Sequence, residues 1–382
     1  MPSVKGEFFL RFWINKVIAM AVVSLGLFLR PDSSVRADWK QEWEKTVAAA
    51  EKEGEVTLYG AYRYGVRDAV LEFGKFYPKI KFNHVAGSGT DLANKVMAEK
   101  RANKHLADVA VGGSGTMVLV YHRSGLLAPI SSAFILAEVS EPSNWWGKKH
   151  HYGDPENGYV LMAQGDVNNR LGAYNTKLLK AGEVQSWWDL LNPKWKGKIV
   201  MTDPKSAGNI GNWRYIYYNP ELGPNFIRKL LGETDVVFSS NERQMMDWVA
   251  SGKYSIYVMA KDEDIDLAVK HGLSIGTLES QKETPELGTG SGHISFFKNA
   301  PHPNAAKVFI NWFLSKDGQS AWQKYTAGNS LRMDIPKDML PRGQAQVPKE
   351  GKEYLITSHP QYEDVKPLRK LIDEVLAEVK RR

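Results

Sequence analysis

Three times within residues 56–116 a short apolar run ends in small residues that open a helical pattern, and few folds accommodate that order. Residues 56–59 read as a strand, after which Val66, Ala69, Val70, Phe73 and Tyr77 recur at helical spacing until Pro78 stops the helix. Residues 80–85 form a second strand pattern, and Gly87, Ser88, Gly89 and Thr90 lead into a helix carrying Leu92, Ala93, Val96 and Met97. Residues 108–111 form a third, followed by Gly112, Gly113, Ser114, Gly115 and Thr116. An open α/β sheet with mostly parallel strands is expected. In such sheets ligands sit beyond the carboxyl ends of the strands, the edge on which all three loops lie.

The middle of the chain repeats this grammar. Residues 171–174, 198–201 and 254–259 read as strands, and the Gly-rich stretch TPELGTGSG (284–292) precedes the apolar HISFF. Residues 303–314 read as a helix with Ala306, Phe309, Ile310 and Phe313 on one stripe. A last helix from about Glu363 spaces Val365, Leu368, Ile372, Val375 and Val379 by three and four. That stripe is expected to pack onto the body of the protein, because a coiled-coil seam needs more heptads.

At the N-terminus, Lys5, Arg11 and Lys16 accompany an apolar run over residues 17–29, and Val35 and Ala37 supply the small residues of a cleavage site. The run is short of the roughly 20 residues a membrane-spanning helix needs. Residues 1–37 are therefore expected to be a signal peptide cleaved after Ala37, with an uncleaved anchor as the alternative. No later segment is long and apolar enough to span a bilayer. The chain has no cysteine, which excludes disulfides, thiolate metal sites, cysteine nucleophiles and a lipid-modified N-terminal cysteine. This suits a protein exported to the periplasm of a two-membrane bacterium. The formal net charge of +7 falls when the basic leader is removed, and the remaining charges are interspersed. Nucleic-acid binding is not expected, and an anionic ligand is weakly favoured. The mature chain exceeds one compact core, so two lobes are expected.

Four phrases then carry a family resemblance. WWDLLNPKWKGKIVMTDPKSAGN (187–209), NAPHPNAAKVFINWFLSKDGQSAW (299–322), LGAYNTKLL (171–179) and NSLRMDIP (329–336), in that register, resemble the extracellular solute-binding proteins of ABC importers, in the branch of iron(III)-type receptors. The resemblance implies a two-lobed α/β fold of the type II periplasmic-binding-protein kind, with the ligand cleft between lobes joined by crossing strands. It assigns 171–179 to a hinge-crossing strand and 329–336 to a loop returning toward the cleft. Lobe one is expected over 38–168 with a return segment 291–335, and lobe two over 169–290 with the C-terminal segment 336–382. It further implies a non-enzymatic, monomeric receptor that delivers a small-molecule ligand to a permease in the inner membrane, with no cofactor. A ligand-sensing subunit for a membrane receptor shares the same fold.

The candidate ligand-binding residues follow from the strand-end loops. Lobe one offers Tyr62 and Arg63, then Ser88, Gly89 and Thr90, then Ser114, Gly115 and Thr116; lobe two offers Ser206, Ala207, Gly208 and Asn209. Hydroxyls and free N–H groups at helix mouths suit carboxylate, phosphate or phosphonate oxygens, although Ser88 and Ser206 serve equally as helix caps. Arg63, Lys261 and Arg332 are the cationic candidates. Trp213 and Tyr217 are read mainly as helix packing, and Trp187, Trp188 and Trp195 wholly so.

Iron receptors of the branch use tyrosine phenolates, including an adjacent pair in lobe two. Met259, Ala260 and Lys261 stand where that pair falls, and Tyr64 alone matches a tyrosine position. Ferric ion is thus the minority reading, and no metal site is assigned. His150 and His151, beside Lys148 and Lys149, read as an exposed polar loop. The chain carries no G-x-S-x-G, H-E-x-x-H or G-x-x-x-x-G-K, so no common catalytic motif competes with a binding role.

Overall fold

The apolar residues of the first strand pattern, Val56, Leu58 and Tyr59, are buried in strand β1 (Glu55–Ala61). The computed structural model describes residues 33–180, 182–205 and 210–381. Most of the expected signal peptide and the loop 206–209 lie outside the described residues. A helix, Ser33–Glu53, includes the expected cleavage point at Ala37. Residues up to Lys45 form one compact unit and those from Thr46 onward another; both sheets and the cleft belong to the second.

β1 pairs in parallel with β2 (Lys81–Gly87) on one side and β3 (Val109–Gly112) on the other. The helical spacing after β1 is realised as two short helices, Val66–Leu71 and Phe73–Phe76, and the helix after β2 runs Gly89–Arg101. Gly65 starts the first of these at φ +73°, where a Cβ would stand 1.9 Å from the Tyr325 carbonyl oxygen. Only glycine fits there, and this close approach fixes the loop of Tyr62, Arg63 and Tyr64 just before it. The short strands β4 (Leu127–Ala128), β5 (His151–Tyr152) and β6 (Val160–Met162) then extend the first sheet.

The chain leaves this sheet through β7 (Asp166–Asn168) and builds a second one from β8 (Arg170–Asn175), β9 (Ile199–Thr202), β10 (Val237–Ser239), β11 (Ile256–Val258) and β12 (Ile275–Glu279), in the order β10-β9-β11-β8-β12. It returns through β13 (Glu286–Gly288), antiparallel to β7, and completes the first sheet with β14 (His293–Phe297). The first sheet is therefore ordered β2-β1-β3-β14-β6-β5, with β4 on β14.

Two expectations need correction here. The sheets are mixed: β14 is antiparallel to β3 and β6, and β8 is antiparallel to β11 and β12. A strand arriving from the other lobe enters at the edge where the parallel strands end, so it runs against them. The crossing is also made by β7 and β13, whereas residues 171–174 are central in the second sheet.

A third segment follows the crossing. Leu287 N donates to Leu355 O and Leu355 N to Pro285 O, both at 3.0 Å. Beyond it the helix Lys366–Arg381 buries Leu368, Leu371, Ile372 and Val375 in the core of the second sheet's lobe, while Val379 at the end of the expected stripe is exposed. Trp187, Trp195 and Trp213 belong to that same core, with Trp188 packed against it. His150 and His151 do not form an exposed loop. The His151 ring stacks on Trp146 at 4.6 Å and His150 meets Phe134 edge-on at 5.3 Å. Burial holds both imidazoles below their usual pKa.

Candidate functional site

Strand ends of the first sheet, the crossing strands and the helix Ile210–Tyr218 of the second lobe surround one cleft. It contains cavities of about 460, 450 and 670 Å³, and Arg63 lines all three. Tyr62 N donates to Gly87 O at 2.9 Å and Arg63 N to Ala61 O at 3.1 Å, so the loop after β1 turns tightly back on its own sheet. The Arg63 side chain is exposed and makes no hydrogen bond or ion pair among the described residues. Tyr62, 81% exposed, lines the 460 Å³ cavity beside it.

The other lobe-one candidates divide. Ser88 caps the helix Gly89–Arg101: its Oγ accepts from Asp91 N at 3.1 Å and its hydroxyl donates to Asp91 Oδ2 at 2.6 Å. That is the capping alternative. Gly89 lies against Thr116, whose Oγ1 stands 2.5 Å from where a Gly89 Cβ would be, and both residues line the 460 Å³ cavity with Gly115. Thr90 is exposed and lines none of the three cavities. Ser114 is buried and donates to Ser358 O at 3.1 Å, which ties the loop after β3 to the C-terminal segment.

In the second lobe the sequence picked out Lys261, which lines the 450 Å³ cavity but is paired with Glu242 at 2.6 Å. That hydrogen bond raises its pKa and holds the charge on Glu242. Arg332 is a correction. It is 1% exposed, and Asp334, Glu138 and the Leu314 carbonyl hold its guanidinium, with no cleft-lining residue among these partners. It fixes the loop 329–336 inside the first lobe. Ser206, Ala207, Gly208 and Asn209 lie outside the described residues.

Three residues that sequence reasoning missed complete the cleft. Arg170 opens β8, lines the 450 Å³ cavity, and lies 2.9 Å from Asp262 Oδ1, while its buried Nε has no hydrogen-bond partner. Arg214 lines the 670 Å³ cavity; its Nη2 donates to Thr357 Oγ1 at 3.4 Å and its buried Nε has no partner. Glu286 on β13 lines both of these cavities, and burial pushes its carboxyl up despite hydrogen bonds from Thr357 and Asn168. A lone arginine within the aromatic run Trp213 to Tyr218 was the available signal for Arg214. Nothing in the alternation around Glu286 marked it.

Tyr64, the one tyrosine that matches an iron-receptor position, lies elsewhere, and so does the adjacent pair Tyr217 and Tyr218. Tyr64 is 91% exposed and lines none of the cavities. Tyr218 donates its hydroxyl to Asp364 O at 2.7 Å, with Tyr217 packed beside it. Met259, Ala260 and Lys261 line the 450 Å³ cavity, Met259 with a left-handed φ of +60°. Outside the cleft, His122, Asp154 and Glu156 bring ligand-type atoms within 4.8 Å of one another. The Asp154 carboxylate already accepts the N–H groups of Gly158, Tyr159 and Val160, so it serves to fix its loop.

Two lobes, two crossing strands and a cleft between them match the pattern of a known family, whose profile, described as bacterial extracellular solute-binding protein, matches residues 53–320. The chain belongs to this family. Among curated relatives, an uncharacterized protein of Haemophilus influenzae is 29% identical over 267 residues, 65% of this chain and 68% of that one. Iron uptake protein A2 of Synechocystis is 22% identical over 300 residues, covering 74% and 78%. Among solved structures, the Trichodesmium protein FutA in complex with iron and citrate superposes with a TM-score of 0.57 at 20% identity, covering 84% of this chain and 99% of that one. That likeness establishes the type II periplasmic-binding fold. Extracellular solute-binding proteins are substrate-binding components of transport systems, and an ABC permease is the partner the family implies.

Proposed function

We propose that this solute-binding protein captures a small organic anion between its lobes and releases it to the permease of an ABC importer. One observation carries the reading: the guanidinium of Arg63 on one wall, without a partner among the described residues, shares a cleft with Arg214 on the other, whose buried Nε likewise lacks one among them. Arginine presents a planar fork of donors that matches carboxylate or phosphate oxygens. Closure of the lobes on such a group removes water and strengthens each contact. Thr116 and Gly89 add hydroxyl and backbone donors to the same purpose. Arg63, Arg170 and Arg214 together disfavour a bare trivalent cation, so the iron of the relatives is not carried over to this chain.

In this reading residues 1–37 direct export to the periplasm and are removed after Ala37. The mature chain acts as a monomer without catalysis. Residues 38–168 with 291–335 form one lobe and 169–290 with 336–382 the other, which the burial of the last helix against Phe226 and Leu230 supports. The test is native mass spectrometry of protein purified from the periplasm without refolding. A retained mass that fragments to a carboxylate, phosphonate or phosphate is expected. A retained ferric ion, with a tyrosinate absorption band, overturns the reading.

A further inference from the structure

Glu286 sits on one of the two strands that cross between the lobes, at the junction of the 450 and 670 Å³ cavities. Its carboxyl takes hydrogen bonds from Thr357 Oγ1 and the Asn168 side chain, both neutral. Arg214 is close enough to favour the ionised form, yet no cation among the described residues makes an ion pair with Glu286. A carboxylate has about four acceptor positions, so it can take further donors.

We propose that the solute is zwitterionic, with its anionic group received by Arg63 and Arg214 and its ammonium group by Glu286. The inference rests on the anion reading above. A hydroxyl on the solute needs only a neutral acceptor, and Asn168, Asn169 and Thr289 already line the cavities. An acid buried beside neutral partners is costly unless a cation compensates it. Burial favours the protonated carboxyl in the empty cleft, and an arriving ammonium favours the ionised one.

The experiment uses matched probes with and without an amine: β-alanine and propionate, 2-aminoethylphosphonate and ethylphosphonate, phosphoethanolamine and ethyl phosphate. Each is titrated calorimetrically into the mature protein and into Glu286→Gln. In at least one pair the amine-bearing member is expected to bind about 30-fold or more tightly, and Glu286→Gln to abolish that preference. Equal binding within every pair overturns the zwitterion and leaves the anion reading standing. No binding by any probe counts against both. A preference that survives Glu286→Gln overturns the assignment to this residue, and if the variant fails to fold the wild-type comparison within each pair still decides.

Discussion

Arg214 and Glu286 meet through a single hydroxyl rather than directly: Arg214 Nη2 donates to Thr357 Oγ1, and Thr357 Oγ1 donates to Glu286 Oε1. The three residues come from a second-lobe helix, a crossing strand and the C-terminal segment. One residue further on, Ser358 O accepts from Ser114 Oγ of the first lobe. The C-terminal segment thus joins both lobes at the floor of the cleft. Thr357→Val keeps the side-chain shape and removes the shared hydroxyl. It is expected to destabilise the fold by about 1–2 kcal/mol in urea unfolding, because two half-buried polar groups lose a partner. The Glu286 carboxyl should rise further, since the Thr357 hydrogen bond favours its ionised form. Unchanged stability refutes the linkage.

Two arginines that look alike in the sequence should behave in opposite ways. Arg63 is exposed and has no partner among the described residues, so Arg63→Ala is expected to leave stability within about 0.5 kcal/mol and to abolish the rise in melting temperature that solute gives the wild type. Arg332 is buried between Asp334 and Glu138. Arg332→Ala leaves the buried Leu314 carbonyl without its donor and a cavity where the side chain packed, and is expected to cost about 2–4 kcal/mol. Solute affinity of whatever fraction folds should be unchanged. Thermal melts with and without solute separate the two cases.

Arg332 also shows where legibility ends. Its second carboxylate, Glu138, lies far away in sequence, and no local pattern announces such a partner. Lys261 does line the cleft, but its partner Glu242 reaches it from another helix, which the local sequence does not announce. What the pattern could reveal was local: strand, small loop and helix in succession, and the stripe of Pro303–Leu314, whose bounds agree with the helix observed. The direction of β14 depended on where the chain re-enters the first lobe. The role of Glu286 depended on Asn168 and Thr357 arriving beside it, two contacts made only by the folded chain.

Acid should weaken the fold through its buried histidines. His293 in β14 has no exposed surface, neither ring nitrogen makes a well-formed hydrogen bond, and burial with His359 nearby lowers its pKa from 6.5 to about 3. Between those values the unfolded chain binds a proton that the native state does not. Stability is therefore full above about pH 6.5 and falls as pH drops toward 3, at up to roughly 1.4 kcal/mol per pH unit for this one group. His84, His150, His151 and His359 shift in the same direction and steepen the loss. Urea unfolding at pH 6 and pH 4 is expected to show a shallower pH slope for His293→Leu than for the wild type. An identical slope would falsify the assignment.

The two lobe-one loops that line the cleft are set by the contact between Gly89 and Thr116. A Cβ on Gly89 would stand 2.5 Å from Thr116 Oγ1 but 3.7 Å from Thr116 Cβ, so the hydroxyl alone forbids a side chain there. Gly89 opens the helix Gly89–Arg101, a place where alanine otherwise favours helix by up to about 1 kcal/mol. Gly89→Ala should nonetheless destabilise by about 1–3 kcal/mol, because Thr116 must leave its rotamer or the loops must part. Thr116→Ala removes the obstacle, leaving ordinary van der Waals contact. The double variant is then expected to be at least as stable as Thr116→Ala alone, with a coupling of about 1 kcal/mol or more across the cycle. Additive effects would mean that the loops stand further apart, and that the 460 Å³ cavity between them is not held by this contact.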